Sequence, residues 1–268
     1  SDTTPVLVDL KPIGQHYMED FFAAGGVGAV LRELKPLLNL DCLTVTGETL
    51  NERLAEDAVD VDRNVIASLD APFEPVGGLV ALFGSIAPRG AILKRSAADR
   101  SLFERVGRAV VFCSLDDLSE RIDDPDLDVT ANDFLVLQNA GPKSPSAMPE
   151  AGYLPIPKKL SAQGVKDMVR ISDARMSGTA YGTIVLHVAP ECSVGGPIGL
   201  VRTGDRIRLS VSEKKIDLLV DEEELAQRRD QLPPPDRDDS ASRGYDQLYA
   251  REVLQADEGC DFAFMKPG

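Results

Sequence analysis

The stretch Met168-Val-Arg-Ile-Ser-Asp-Ala-Arg-Met-Ser-Gly-Thr-Ala-Tyr-Gly-Thr-Ile-Val-Leu-His-Val188 sets two apolar, β-prone runs around a polar loop. Short runs of this kind, bounded by Gly, Ser and Asp, read as strands. Within the loop, Ser177-Gly178-Thr179 places two hydroxyls on a glycine-relaxed turn, where backbone and side chain can approach a ligand closely. A second loop follows the second run, Ala189-Pro-Glu-Cys-Ser-Val-Gly-Gly-Pro197. Two polar, glycine-containing loops at the ends of short strands form a candidate site.

Working outward, the texture from residue 76 onward is one of short apolar runs separated by turns. Strands are predicted at 78–84, 90–93, 108–113, 133–138, 168–171, 183–188, 206–211 and 215–219, with Gly204-Asp205 and Glu213-Lys214 as turn signals. Short helices are predicted at 101–106, 116–121 and 159–166, and charged helices at 221–230 and 245–256. Pro233-Pro-Pro-Asp-Arg-Asp-Asp239 reads as an exposed linker. Before residue 76, the apolar stripe over 18–38 predicts a helix that Gly25-Gly26 interrupts. Thr49-Leu-Asn-Glu52 fits a capping box. Residues 51–75 are acidic and then proline-containing and read as a surface stretch or linker, with Pro72 and Pro75 marking a boundary. The expected class is α+β: a mixed β-barrel domain at 76–268 with flanking helices, preceded by a separate segment at 1–75. No internal repeat is present.

Of the 268 residues, 43% are hydrophobic and none is Trp, so the core is expected to be built from Val, Leu, Ile and Ala. The net charge of −15 disfavours nucleic acid and anionic membranes, which both attract basic patches. No apolar run approaches the roughly 20 residues that span a bilayer. No signal-peptide pattern opens the sequence, and a cytoplasmic location is expected. Cys42, Cys113, Cys192 and Cys260 are far apart and form no CxxC pair, so reduced thiols are expected rather than a metal site.

Candidate chemistry centres on Ser177. A bare serine hydroxyl is a poor base until a proton acceptor or a strong positive charge activates it; the plainer reading is a turn serine bonded to local backbone. Glu150, in a loop of Gly, Pro and Ser, is a suitable ligand for a hard cation such as Mg²⁺, or else a solvated carboxylate. Asp173 and Arg175 read as structural, paired with each other or holding the serine loop in shape, or else as substrate contacts. His187, inside a β-periodic run, reads as a satisfied core group or as a substrate contact. Lys94 and His16 stand between substrate carboxylate contact and plain surface. Glu191 and Gly195-Gly196 are expected to shape the second loop. Asp221-Glu-Glu-Glu224 reads as a solvated helix start. Gly25-Gly-Val-Gly28 lacks GxGxxG spacing and a leading strand, so it is not read as a dinucleotide site.

Taken in order, Gly25-Gly-Val-Gly28, Thr44-Val-Thr-Gly47, Leu82-Phe-Gly-Ser-Ile-Ala-Pro88, Asn139-Ala-Gly-Pro142, Met148-Pro-Glu150, Ser172-Asp-Ala-Arg-Met-Ser-Gly178, His187-Val-Ala-Pro-Glu191 and Gly195-Gly-Pro197 resemble the C-terminal portion of the dihydroxy-acid dehydratase / 6-phosphogluconate dehydratase family. The resemblance is nearest to its aldonate (sugar-acid) branch, on Asn139–Pro142, Ser177–Thr179 and the tail Ala256–Phe262. It implies that residues 1–75 are the tail of an N-terminal α/β/α domain. It implies dehydration of a 2,3-dihydroxy acid to a 2-keto acid, helped by an iron–sulfur cluster and Mg²⁺. Ser177 matches the base that removes the C2 proton. Thr179 matches a residue that orients the substrate, with His187 as a further candidate for substrate binding, and Glu150 matches a carboxylate of the Mg²⁺ site. The cluster cysteines and the remaining Mg²⁺ ligands belong to family motifs that are absent from this sequence, so the chain alone is expected to be inactive. The implied partner is a small sugar acid or dihydroxy acid, and homo-oligomerisation is expected. Two rival readings stand. One is a non-catalytic β-barrel module that acts only with a cluster-bearing partner. The other is an aconitase-type swivelling domain, against which Met148-Pro-Glu150 and Ser172–Gly178 argue.

Overall fold

The structure, a computed structural model, describes residues 1–55, 60–149, 154–231 and 243–266. The chain divides into two compact units, Ser1–Gly78 and Leu79–Gly268.

In the first unit, the apolar stripe forms two helices, α1 (Met18–Ala23) and α2 (Gly26–Glu33), divided at the Gly25-Gly26 interruption expected from the sequence. Gly25 and Gly26, at φ 107° and 58°, make the break in a left-handed conformation that only glycine adopts without strain. The short helix α3 (Leu50–Arg53) carries the expected capping box: Glu52 N–H donates to Thr49 Oγ1 at 3.2 Å, and Thr49 N–H donates to the Glu52 carboxylate at 2.8 Å. The surface reading of 51–75 is corrected at Val65-Ile66-Ala67. All three are buried, Val65 and Ile66 pack with Phe21, Ala24 and Ala29, and the backbone bonds to the Leu7–Asp9 segment. Residues 56–59 lie outside the described residues.

The second unit is an eight-stranded mixed sheet rolled into a nearly closed barrel. Its strands are β1 (Val80–Leu82), β2 (Gly90–Leu93), β3 (Glu104–Phe112), β4 (Phe134–Leu137), β5 (Arg170–Ser172), β6 (Ile184–Ala189), β7 (Arg206–Ser210) and β8 (Lys215–Leu218), in the spatial order β1-β2-β6-β5-β4-β3-β7-β8. Strands β3, β4, β5 and β6 run parallel, and the other neighbours are antiparallel. Phe83 bridges the ends: its N–H donates to Lys214 O at 2.9 Å and its carbonyl accepts from Ile216 N–H at 3.0 Å. The eight predicted strands all form. The predicted helix at 101–106 does not. One 3-10 turn, Arg100–Leu102, is capped by Asp99, and from Glu104 the backbone is satisfied by the ladder to β7 instead.

The strand sequences explain the layers. Ala109 and Val111 of β3, Phe134 and Val136 of β4, Ile171 of β5, Val185 of β6, Ile207 and Leu209 of β7, and Ile216 and Leu218 of β8 fill the barrel. Their alternates Val110, Phe112, Leu135, Leu137, Ile184 and Leu186 face outward and meet Leu118 and Ile122 beside α4 (Leu115–Arg121) and Leu160 of α5 (Lys158–Ala162). Strands buried on both faces read as continuous apolar runs, as these do. Two further helices, α6 (Glu222–Gln231) and α7 (Tyr245–Glu252), occupy the charged segments expected to be helical. The proline-rich segment 233–239 lies outside the described residues. Among the described residues no helix is long and apolar enough to cross a membrane.

Candidate functional site

Strands β5 and β6 are parallel, so the chain between them must return from the end of one to the start of the other. Asp173–Thr183 makes this return without a helix, along the outer face of the barrel. Four bonds place it there. His187 N–H donates to Ala174 O at 2.9 Å, and Met176 N–H donates to His187 Nε2 at 2.8 Å. The Lys94 ammonium, just past β2, donates to Gly178 O at 2.6 Å, and Gly182 N–H donates to Ala97 O at 2.8 Å.

Ser177 occupies the turn in the middle of this segment. Ala180 N–H donates to Ser177 O at 3.1 Å, closing the turn. The Ser177 and Thr179 hydroxyls are 2.9 Å apart, and Thr179 N–H reaches Ser177 Oγ at 3.2 Å. Ser177 is half-buried and Thr179 is exposed, so a ligand can reach both hydroxyls. The oxygen of Ser177 thus accepts the Thr179 N–H and shares a hydrogen bond with the Thr179 hydroxyl, and a backbone donor aimed at that oxygen favours negative charge on it.

His187 interrupts β6 with φ 54°, and the β2–β6 register shifts between Gly90 and Ile92. Because of that irregularity Val185 and Val188 both face the interior, and the imidazole is free to turn outward to the serine segment. Accepting the Met176 N–H through Nε2 requires a neutral ring there, protonated at Nδ1. Burial, with the Arg175 charge second, holds its pKa below the ordinary histidine value and keeps the ring neutral.

Asp173 is fully buried at the start of the segment. Its carboxylate accepts Ala140 N–H and Cys192 N–H, both at 2.9 Å, so it ties together the Asn139–Pro142 loop, the serine segment and the Pro190–Pro197 loop. Of the readings of Asp173, loop support is the one with hydrogen bonds behind it. Burial pushes its pKa up to about 6, with neighbouring Glu191 adding to the rise. Glu191 performs the same office one loop on: both its oxygens accept Lys143 N–H at 3.0 Å, and Gln255 donates to it at 2.6 Å. A side chain at Gly141 would stand 2.3 Å from the Glu191 carboxylate, so this loop needs glycine. Gly196 has the same constraint against Pro190 O at 1.9 Å. Cys192 packs against the barrel core, and its thiol is pushed up to about 12, chiefly by burial.

Glu150 lies outside the described residues, but its neighbour does not. Arg175 N–H donates to Pro149 O at 3.2 Å, which sets the Met148-Pro149 backbone against the serine segment. Cys260 Sγ donates to Met148 Sδ at 3.4 Å, bringing the C-terminal tail to the same loop. His16 belongs to the first unit, between Asp9 at 3.7 Å and Asp20 at 4.0 Å. Among the described residues no three His, Cys, Asp or Glu side chains gather as a metal site. These residues alone therefore fit neither a complete Mg²⁺ site nor an iron–sulfur ligand set.

Sequence reasoning missed Arg170 and Asp167. Arg170 is buried at the foot of the segment and donates to Asp167 Oδ1 at 3.1 Å, Tyr181 O at 3.2 Å and Leu154 O at 3.2 Å. It thus braces the far end of the serine segment and the chain that follows residue 153. The available signal was a charged pair at i, i+3 around the start of a strand buried on both faces.

Fold and site together define an α+β barrel domain whose outer wall presents a backbone-supported serine turn. The chain belongs to the dihydroxy-acid/6-phosphogluconate dehydratase family: residues 64–260 match the family's C-terminal domain and residues 1–53 its N-terminal domain. It is 48% identical over 269 residues to an L-arabonate dehydratase of Azospirillum brasilense, covering 98% of this chain and 46% of the relative. It is 47% identical over 267 residues to a 6-deoxy-6-sulfo-D-gluconate dehydratase of Pseudomonas putida, covering 98% and 46%. A dihydroxy-acid dehydratase of Carboxydothermus hydrogenoformans is 40% identical over 265 residues, covering 98% and 47%. The chain spans about half the length of the curated relatives it matches.

Proposed function

We propose that this chain carries the proton-abstracting part of a hydro-lyase that dehydrates a 2,3-dihydroxy acid, of the sugar-acid class, to a 2-keto acid. The observation that carries the reading is the Ser177–Thr179 turn, in which Thr179 N–H donates to Ser177 Oγ and the two hydroxyls share a hydrogen bond. The substrate loses a proton from C2 and a hydroxyl from C3, and the resulting enol tautomerises to the ketone. Ser177, as its alkoxide, takes the C2 proton; Thr179 orients the substrate hydroxyls and stabilises the charged oxygen. His187 acts on the substrate through the serine segment that it holds. Glu150 is the residue of this chain suited to Mg²⁺. Because the chain spans about half the length of its relatives, it is proposed to be inactive by itself, with the iron–sulfur cluster and the remaining Mg²⁺ ligands supplied by other residues of the complete protein. The sugar-acid class is supported by the higher identity to the aldonate-type relatives, 47–48% against 40%. A cytoplasmic, homo-oligomeric protein belongs to the same proposal.

The test is 2-keto acid formation from a panel of aldonates and branched dihydroxy acids by the complete gene product and its Ser177→Ala variant. The expected loss in kcat is about 100- to 10,000-fold, the usual worth of a positioned base. Activity of Ser177→Ala within a few-fold of the parent, or turnover by the 268-residue chain alone, would overturn the proposal.

A further inference from the structure

We propose that Lys94 is a positioning residue for Ser177: its ammonium clamps the Ser177–Thr179 turn at Gly178 and so brings a positive charge to the turn that carries the serine oxygen. The proposal rests on the reading of Ser177 as the base and supplies what that reading lacks, since a serine hydroxyl titrates far above neutral pH unless a cation lies close by.

The placement follows from the barrel. In β2, Ala91 and Leu93 face the interior, so the next residue, Lys94, continues the alternation to the outer face. Pairing of Leu93 with Val185 fixes that position against β6 and therefore under the returning serine segment. The side chain is half-buried, and its ammonium donates to Gly178 O at 2.6 Å, the carbonyl of the residue between the two hydroxyls. A carbonyl held by a charge-assisted bond is a strong anchor for a turn. The backbone on either side is held separately, by Met176 N–H to His187 and by Gly182 N–H to Ala97 O. Lys94 thus fixes the part of the turn that those two bonds leave out. Burial lowers its pKa from the ordinary lysine value, so it loses its charge earlier on the alkaline side than an exposed lysine does. The other charged or titratable groups on the elements packed around the turn are Arg95 beside Lys94, Asp173, Arg175 and Tyr181 on the segment itself, His187 on β6, and the Asp167–Arg170 pair below Gly182. Substitution of Lys94 leaves all of these in place.

The experiment compares Lys94→Met and Lys94→Arg with the parent in the complete gene product, by kcat and KM against pH and by amide hydrogen exchange over 176–183. Lys94→Met is expected to lower kcat at least about tenfold and to move the acid limb of the kcat profile alkaline by about one unit or more. It should also speed exchange at Thr179 and Ala180. Lys94→Arg keeps the charge and should keep the limb near the parent's position. A fall in kcat with an unmoved limb would make Lys94 merely structural and overturn the proposal. A raised KM with an unchanged kcat profile would instead make it a substrate-carboxylate contact and overturn it as well. The Ser177→Ala variant separates the two failures. If it is active, the base reading itself has fallen; if it is inactive while the Lys94→Met limb stays put, only the role of Lys94 has.

Discussion

Replacing Arg170 by methionine should destabilise the barrel unit by about 3–5 kcal/mol, the cost of removing one partner of a buried ion pair. The side chains of Arg170 and Asp167 are 9% and 8% exposed, so water does little to screen the charge left behind. Methionine fills much of the volume, which keeps the packing loss small. Asp167 would keep its bonds from Thr183 N–H at 2.8 Å, Thr183 Oγ1 at 2.7 Å, Met168 N–H at 2.8 Å and Asp99 N–H at 3.2 Å. Those four donors pull the penalty toward the lower end, about 3 kcal/mol. Against them, the carbonyls of Leu154 and Tyr181 lose their donor, at about 1–3 kcal/mol for each that water does not reach. For a unit of this size each kcal/mol lowers Tm by about 2–4 °C, so a fall of about 10 °C is expected. The assay is thermal and urea unfolding of parent, Arg170→Met and the Arg170→Met/Asp167→Asn double variant, followed by circular dichroism. The double variant removes the orphaned charge and should recover part of the loss. A loss below about 1 kcal/mol in the single variant, or a double variant less stable than the single by the full effect of Asp167→Asn, would refute the pairing argument.

Two other outcomes follow from the packing and the charges. Gly107→Ala would place a Cβ 2.1 Å from the Phe134 ring inside the barrel, where the ring has no room to yield; a destabilisation of about 1–3 kcal/mol is expected from equilibrium unfolding, and a neutral result would show that the interior is looser than described. The Asp173 carboxyl has a folded-state pKa of about 6 against an ordinary 3.8, so the stability it contributes is complete below about pH 4 and is lost as pH rises through about 6. The gap between parent and Asp173→Asn should therefore narrow, by up to about 3 kcal/mol, between pH 4 and pH 7.5; a gap that is constant or widens with pH has the wrong sign for a buried, reluctantly ionised acid.

Much of the barrel was legible in one dimension because its central parallel strands are buried on both faces. Runs such as Ala109–Phe112 and Phe134–Leu137 carry no polar alternation to confuse with a surface helix, and Gly204-Asp205 and Glu213-Lys214 mark the turns on either side of β7. The segment around Glu104 was misread because its exposed stretch is satisfied by pairing to β7, more than a hundred residues away in sequence. Val65–Ala67 was misread because acidic and proline-rich neighbours outweighed a short apolar run, of which Val65 and Ile66 pack with Phe21, Ala24 and Ala29. The two hydroxyls of the site were visible as Ser177-Gly178-Thr179, since a glycine between hydroxyls is a local signal.

What supports those hydroxyls was not local. The amino-acid order by itself determined the strand set, the helix break at Gly25-Gly26, the capping box at Thr49 and the position of the serine turn, because each depends on neighbours within a few residues. Tertiary structure decided that Lys94 reaches Gly178, that His187 turns outward to receive Met176 N–H, that Asp173 serves two other loops and that Arg170 braces the segment's end. Each of those side chains was ambiguous alone, since a lysine, histidine, aspartate or arginine beside an apolar run fits a surface as readily as a site. The parallel pairing of β5 with β6 removes the ambiguity by sending the intervening chain back across the outer wall, over residues that sequence spacing could not bring together.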